Sequence, residues 1–135
     1  MASTLARRGI PYLEPETLCA WMQSREDFQI MDVRDCDFDE GGHIKGAVNY
    51  EYRSFQNNLR EIVASEVPKK RVFVFHCMRS QQRGPRCALR FKTYIDETLN
   101  NLDIEVYVLR GGFIKWYKKY GETQYTEKAT TANIL

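Results

Sequence analysis

Hydrophobic positions along the chain switch repeatedly between a helical and an extended period. Leu18, Trp21 and Met22 recur at helical spacing behind Pro15, a residue suited to a helix start. FQIMDV, residues 28–33, reads as a buried strand, whereas residues 34–46 are acidic and rich in glycine, as in a loop. AVNY, residues 47–50, makes a short strand, and Phe55, Leu59, Ile62 and Val63 form the next helical stripe. RVFVF, residues 71–75, has the Val and Phe content of a central strand. Cys87, Phe91, Tyr94 and Ile95 then share one helical face, with Ala88 and Leu99 at its edge. IEVYVL, residues 104–109, is a further strand. After a Gly111-Gly112 turn, Phe113, Trp116, Tyr117 and Tyr120 repeat at i, i+3, i+4 and i+7. Trp21, Trp116 and Tyr117 are therefore assigned to the core.

Strands alternating with helices imply a parallel sheet covered on both faces, with ligands beyond the carboxyl ends of its strands. A chain of 135 residues is the size of one domain. Residues 13–122 carry the pattern, residues 1–12 read as an N-terminal extension, and the polar residues 123–135 read as a flexible tail. Residues 1–13 lack the long apolar stretch of a secretory signal. A net charge of +2 gives no argument for nucleic acid or membrane, and the longest apolar runs are far too short to span a bilayer. The four cysteines, Cys19, Cys36, Cys77 and Cys87, show no Cys-x-x-Cys spacing, which favours reduced thiols and a cytoplasmic setting. His43 and His76 have no ligand-like spacing, so no metal is expected.

The chemistry concentrates in HCMRSQQRGPR, residues 76–86, just past the central strand. A strand, a tight loop and a helix start bring several N–H groups to one point, where the helix dipole adds partial positive charge. Such a nest holds a tetrahedral oxyanion and favours a cysteine thiolate over the thiol. Arg83, six positions after Cys77, supplies a planar fork able to grip two oxygens. Gly84 and Pro85 permit the sharp entry into the helix. The alternative is a small core thiol with an arginine nearby by chance. The Gly-Pro and the strand–loop–helix context favour the catalytic reading.

The same stretch resembles the active-site loop of the rhodanese-fold phosphatases of the M-phase inducer type, and equally that of the related small eukaryotic arsenate reductases. IMDVRDCDFDEGGHIKGAVN, residues 30–49, resembles that superfamily's Asp-x-Arg and Gly-His-Ile-x-x-Ala segments, and VLRGGFIKWY, residues 108–117, its closing Gly-Gly-Phe-x-x-Trp. The resemblance implies an α/β fold, a rhodanese-like open sheet of five mostly parallel strands flanked by helices on both faces. It implies Cys77 as nucleophile, Arg83 as oxyanion clamp, and the backbone of Met78, Arg79, Ser80, Gln81 and Gln82 as the cradle. His76 would steer the loop from behind, Asp32 would tie down neighbouring loops, and Gly84 would support the turn. Sulfur-transferring rhodaneses carry four residues between Cys and Arg, and this loop has five. The longer cradle suits phosphate or arsenate, which makes thiosulfate transfer less favoured. The cell-cycle phosphatases carry a glutamate after the nucleophile and a second cysteine in the Asp-x-Arg segment. Met78 and Val33 stand at those places here, so neither residue's role transfers.

Two reactions follow. As a phosphatase, Cys77 attacks phosphorus in line and the phosphocysteine is hydrolysed by water, with no cofactor. The substrate is a phosphorylated protein or a small ester, and the location cytoplasmic, with the nucleus open. Asp35, Asp37, Asp39 and Glu40 lie in an acidic segment able to reach the site, against the alternative of a solvated loop, and none is singled out as the acid. As an arsenate reductase, the same cysteine forms an arsenic adduct that glutathione and glutaredoxin resolve. Cys36 is the candidate redox partner for Cys77, against the alternative of an unpartnered loop cysteine. A non-catalytic interaction module is the third reading, disfavoured by the intact Cys77 and Arg83. The number of subunits is left open.

Overall fold

A computed structural model describes residues 5–7, 9–99 and 101–129. In chain order the elements are β1 (Leu5–Arg7), β2 (Ile10–Leu13), α1 (Pro15–Ser24), β3 (Phe28–Asp32), β4 (His43–Ile44) and β5 (Val48–Asn49). The short α2 (Tyr52–Phe55), α3 (Leu59–Glu66), β6 (Val72–His76), α4 (Arg83–Thr98), β7 (Glu105–Leu109), α5 (Gly112–Tyr120) and β8 (Thr126–Glu127) complete the chain.

The main sheet has the order β1-β2-β7-β6-β3-β5. β2, β7, β6, β3 and β5 pair in parallel, and β1 adds an antiparallel edge on β2. The sheet is thus the expected parallel array of five with one further strand. β6 lies at its centre, and every residue from Val72 to His76 is buried. The period of two then decides what faces where. Phe73 and Phe75 join the cluster formed with Phe55, Ile62, Phe91 and Ile95 of α2, α3 and α4. Val74 joins the opposite cluster, with Leu18, Phe113 and Trp116 of α1 and α5. Each such buried Phe contributes roughly 1.5–3 kcal/mol. By the same alternation His76 falls on the α5 side, stacked near Phe113, and Cys77 returns to the α4 side.

Several details depart from the sequence pattern. The stripe through Phe55, Leu59 and Ile62 is split into α2 and α3. Residues 123–129, assigned to a flexible tail, include β8, which pairs antiparallel with β4 inside what read as pure loop. Thr126 is buried there because its Oγ1 accepts a hydrogen bond from the Trp116 indole at 2.8 Å. Residues 130–135 lie outside the described residues. The assigned extension likewise supplies β1 and most of β2. Tyr117 is 42% exposed instead of core, since the α5 stripe is wider than the face it buries, whereas Trp116 is fully buried. Among the described residues no helix is long and apolar enough to cross a membrane.

Candidate active site

β3 and β6 run in register, with Asp32 beside His76, so their carboxyl ends finish together. Cys77 follows β6, and α4 begins at Arg83. The first N–H groups of a helix have no partner within it. One of them, on Gly84, donates to Cys77 Sγ at 3.3 Å. Pro85 has no N–H to offer, so the positive end of α4 is directed at the sulfur. Gly84 is tightly packed: a Cβ would stand 3.3 Å from both the Cys77 nitrogen and the His76 Cα, so the loop would have to give by a few tenths of an ångström.

The loop is fastened from the other side by α5. Phe113 N–H donates to the Cys77 carbonyl and Ile114 N–H to the Met78 carbonyl, each at 3.0 Å. These are again orphan groups of a helix's first turn. The contact is so close that a Cβ on Gly112 would lie 2.5 Å from the Met78 oxygen and 2.7 Å from the Arg79 nitrogen, at a φ of +65°. The Gly-Gly-Phe motif thus docks the loop.

With its carbonyls pinned outward, the loop bends through Ser80, whose φ is +54°. Among the described residues none of the N–H groups of Met78, Arg79, Ser80, Gln81 and Gln82 donates a hydrogen bond to the protein. Ser80 Oγ is buried, also with no hydrogen-bond partner among the described residues. A pocket at this point is lined by Asp37, Glu40, Cys77, Met78, Arg79, Gln81, Gln82 and Arg83. Cys77 is only 3% exposed and lines this pocket. A larger, apolar groove between α3 and α4, lined by Val63, Val67, Tyr94 and Leu102, contains none of this chemistry.

His76 lies behind the loop, at the end of β6. Its Nδ1 is 3.0 Å from the Cys77 carbonyl, which can only accept, so Nδ1 carries the proton. The bare Nε2 is then left facing Asp32 at 3.7 Å. Burial holds the imidazole below its usual range, in the neutral form. Asp32 touches no pocket atom and instead receives Arg34, whose Nη2 is 2.8 Å from its Oδ2 and whose Nε reaches both carboxylate oxygens. Arg34 also donates to the carbonyls of Glu40 and Gly42 and lies 4.3 Å over the Phe113 ring. The acidic segment is therefore tied to the end of β3 through one buried guanidinium, a role the sequence did not reveal.

That segment reaches Arg83. Asp37 grips it with both oxygens, at 2.9 and 2.8 Å, and Asp35 approaches at 3.4 Å. The Asp37 carboxylate raises the Arg83 guanidinium above its ordinary value, and in turn Arg83 holds Asp37 below the usual carboxylate range. Cys36, between these two aspartates, is exposed, and all four cysteines are free thiols. Cys87 is fully buried, and burial pushes its thiol up to about 12, which fits a packing residue. Asp39 is turned elsewhere, to the His43 imidazole at 2.8 Å. The arrangement is chemically able to seat a tetrahedral anion on amides and a guanidinium, next to a sulfur held by a helix end.

Residues 15–119 match the Rhodanese-like domain family. The chain is 37% identical to the CDC25-like phosphatase YCH1 of Saccharomyces cerevisiae, over 94% of this chain and 92% of that one. It is 36% identical to Arsenate reductase 2.1 of Oryza sativa, over 81% of this chain and 68% of the relative. Among solved structures, that of Saccharomyces cerevisiae Ygr203w, described as a homolog of single-domain rhodanese and the Cdc25 phosphatase catalytic domain, superposes with a TM-score of 0.80. It is 34% identical and covers 99% of this chain and 96% of that one.

Proposed function

The chain belongs to the rhodanese-like family, and we propose that it is a cysteine-dependent phosphatase of the tyrosine or dual-specificity type, hydrolysing phosphomonoesters through a phosphocysteine on Cys77. One observation carries the reading: the five N–H groups from Met78 to Gln82 donate to nothing in the described protein, and Met78, Arg79, Gln81 and Gln82 line the pocket shared by Cys77 and Arg83. Those amides and the Arg83 fork would hold the three equatorial oxygens of a phosphoryl group while Sγ attacks in line. The Gly84 N–H and the start of α4 point at the sulfur that would act as nucleophile and then as leaving group. Water then displaces the sulfur and releases phosphate.

Arsenate reduction is the second reading, supported by the rice relative's name and by the likeness of arsenate to phosphate. It requires an outside thiol such as glutathione, whereas ester hydrolysis requires only water. The test is a side-by-side assay of 4-nitrophenyl phosphate hydrolysis and glutathione- and glutaredoxin-dependent arsenite formation, each against Cys77→Ser. Hydrolysis that vanishes in Cys77→Ser, while tungstate still binds that variant, is the expected result. Arsenite production with no Cys77-dependent hydrolysis would replace the first reading by the second.

A further inference from the structure

The pocket beside Cys77 is already occupied at its guanidinium by a carboxylate. Asp37 presents two oxygens to the same two nitrogens, Nη1 and Nη2, that a bound oxyanion would take. Resting on the phosphatase reading, we propose that Asp37 is the proton donor to the leaving group, bonded to Arg83 until the substrate's phosphoryl oxygens displace it.

Four observations single out this carboxylate. It lines the pocket together with Cys77 and Arg83. Asp35, the other acid on Arg83, is held through Oδ1 by the Arg53 backbone N–H at 3.0 Å, much as Asp37 Oδ1 accepts from the Asp35 N–H at 2.9 Å, but Asp35 is not part of the pocket wall. Asp39 is bound to His43. Glu40 lines the pocket without bonding Arg83 and is exposed.

The exchange supplies the chemistry a parked carboxylate lacks. On Arg83 it is held ionised, a poor acid. The charged groups around it are Arg83 of α4, Cys77 and Arg79 of the loop, and Asp35 and Glu40 of its own segment. Once phosphate takes Arg83, Asp37 loses its counter-ion and faces a doubly negative ligand, so it takes up a proton from water. As the S–P bond forms and the ester P–O bond breaks, the carboxyl proton passes to the departing oxygen and the alcohol leaves neutral. In the second step the Asp37 carboxylate accepts a proton from the water that attacks phosphorus and displaces Sγ, and it returns that proton to solvent when phosphate leaves and the carboxylate bonds Arg83 again. The sum is ester plus water to alcohol plus phosphate.

The test compares wild type, Asp37→Asn and Glu40→Gln on 4-nitrophenyl phosphate, whose leaving group needs little protonation, and phenyl phosphate, whose leaving group needs it. Tungstate affinity is measured in parallel by calorimetry. Asp37→Asn is expected to lose roughly 10²–10⁴-fold in kcat on phenyl phosphate and far less on the nitrophenyl ester. It should also bind tungstate more tightly than wild type by a larger factor than Glu40→Gln, which removes one charge from the same rim without freeing Arg83. Equal losses on the two esters, or the selective loss appearing in Glu40→Gln instead, would overturn the assignment. A tungstate gain no greater than that of Glu40→Gln would overturn the displacement. No Cys77-dependent turnover of either ester by wild type would sink the phosphatase reading itself, and the proposal with it.

Discussion

Two arginine–aspartate pairs stand near each other in this molecule and are built to opposite ends. Arg34 and Asp32 have fully buried side chains, and the guanidinium is further bonded to two carbonyls and stacked on Phe113. Arg83 and Asp37 have side chains 25% and 21% exposed, and every bond of that guanidinium goes to a carboxylate of the acidic segment. In the first pair each donor is committed, so exchanging the partner would strand a charge without water. In the second, another anion of similar shape takes the carboxylate's place at little cost. One pair frames the site, and the other is available to a ligand.

Substitution should separate the two roles. Replacing Arg34 by Met leaves Asp32 buried and uncompensated, at a cost of about 3–5 kcal/mol, read as a lower midpoint in urea unfolding. A midpoint shift near zero would show that the buried pair does not frame the site. Arg83→Met should change stability by no more than about 1 kcal/mol, since a part-exposed pair contributes little. Its kcat for 4-nitrophenyl phosphate should nevertheless fall roughly 10²–10³-fold, as on losing an oxyanion donor. Gly112→Ala tests the fastening that both pairs depend on. Its Cβ cannot coexist with the Met78 carbonyl, so the loop must move. Backbone strain of about 1–3 kcal/mol should accompany a loss of turnover, and wild-type activity in this variant would mean the loop is not set by α5.

The smallest effect is one of pH. Burial holds the His76 imidazole below its ordinary value. In the unfolded chain it takes a proton near pH 6.5, while in the folded chain it resists. Stability from this residue is therefore complete above about pH 6.5 and lost progressively as pH falls below it. His76→Asn should shallow the decline in thermal midpoint between about pH 6.5 and 5; an unchanged slope would contradict the buried neutral imidazole.

The framework of the site was legible because its signals are local. RVFVF announces a buried central strand, with Cys77 just past its end. The Gly-Pro marks the helix start whose N–H meets the sulfur. Arg34 was opaque because its partners beyond Asp32 are carbonyls of Glu40 and Gly42, and main-chain acceptors leave no mark on a sequence. Which of four neighbouring acids reach Arg83 was equally hidden: Asp35 and Asp37 bond it, while Asp39, at a φ of +67°, pairs with His43. β8 escaped because two paired residues carry no periodicity, and its burial comes from the Trp116–Thr126 bond.

The central claim is covalent: a phosphoryl group passes through the Cys77 sulfur while Arg83 and the loop amides hold its oxygens. Rapid acid quenching during turnover of 4-nitrophenyl phosphate, followed by peptide mass spectrometry, tests it most directly. The account predicts a phosphoryl adduct on Cys77 that forms and decays with turnover and is absent in Cys77→Ser. Steady hydrolysis with Cys77 never modified, or with the adduct on another residue, would contradict it.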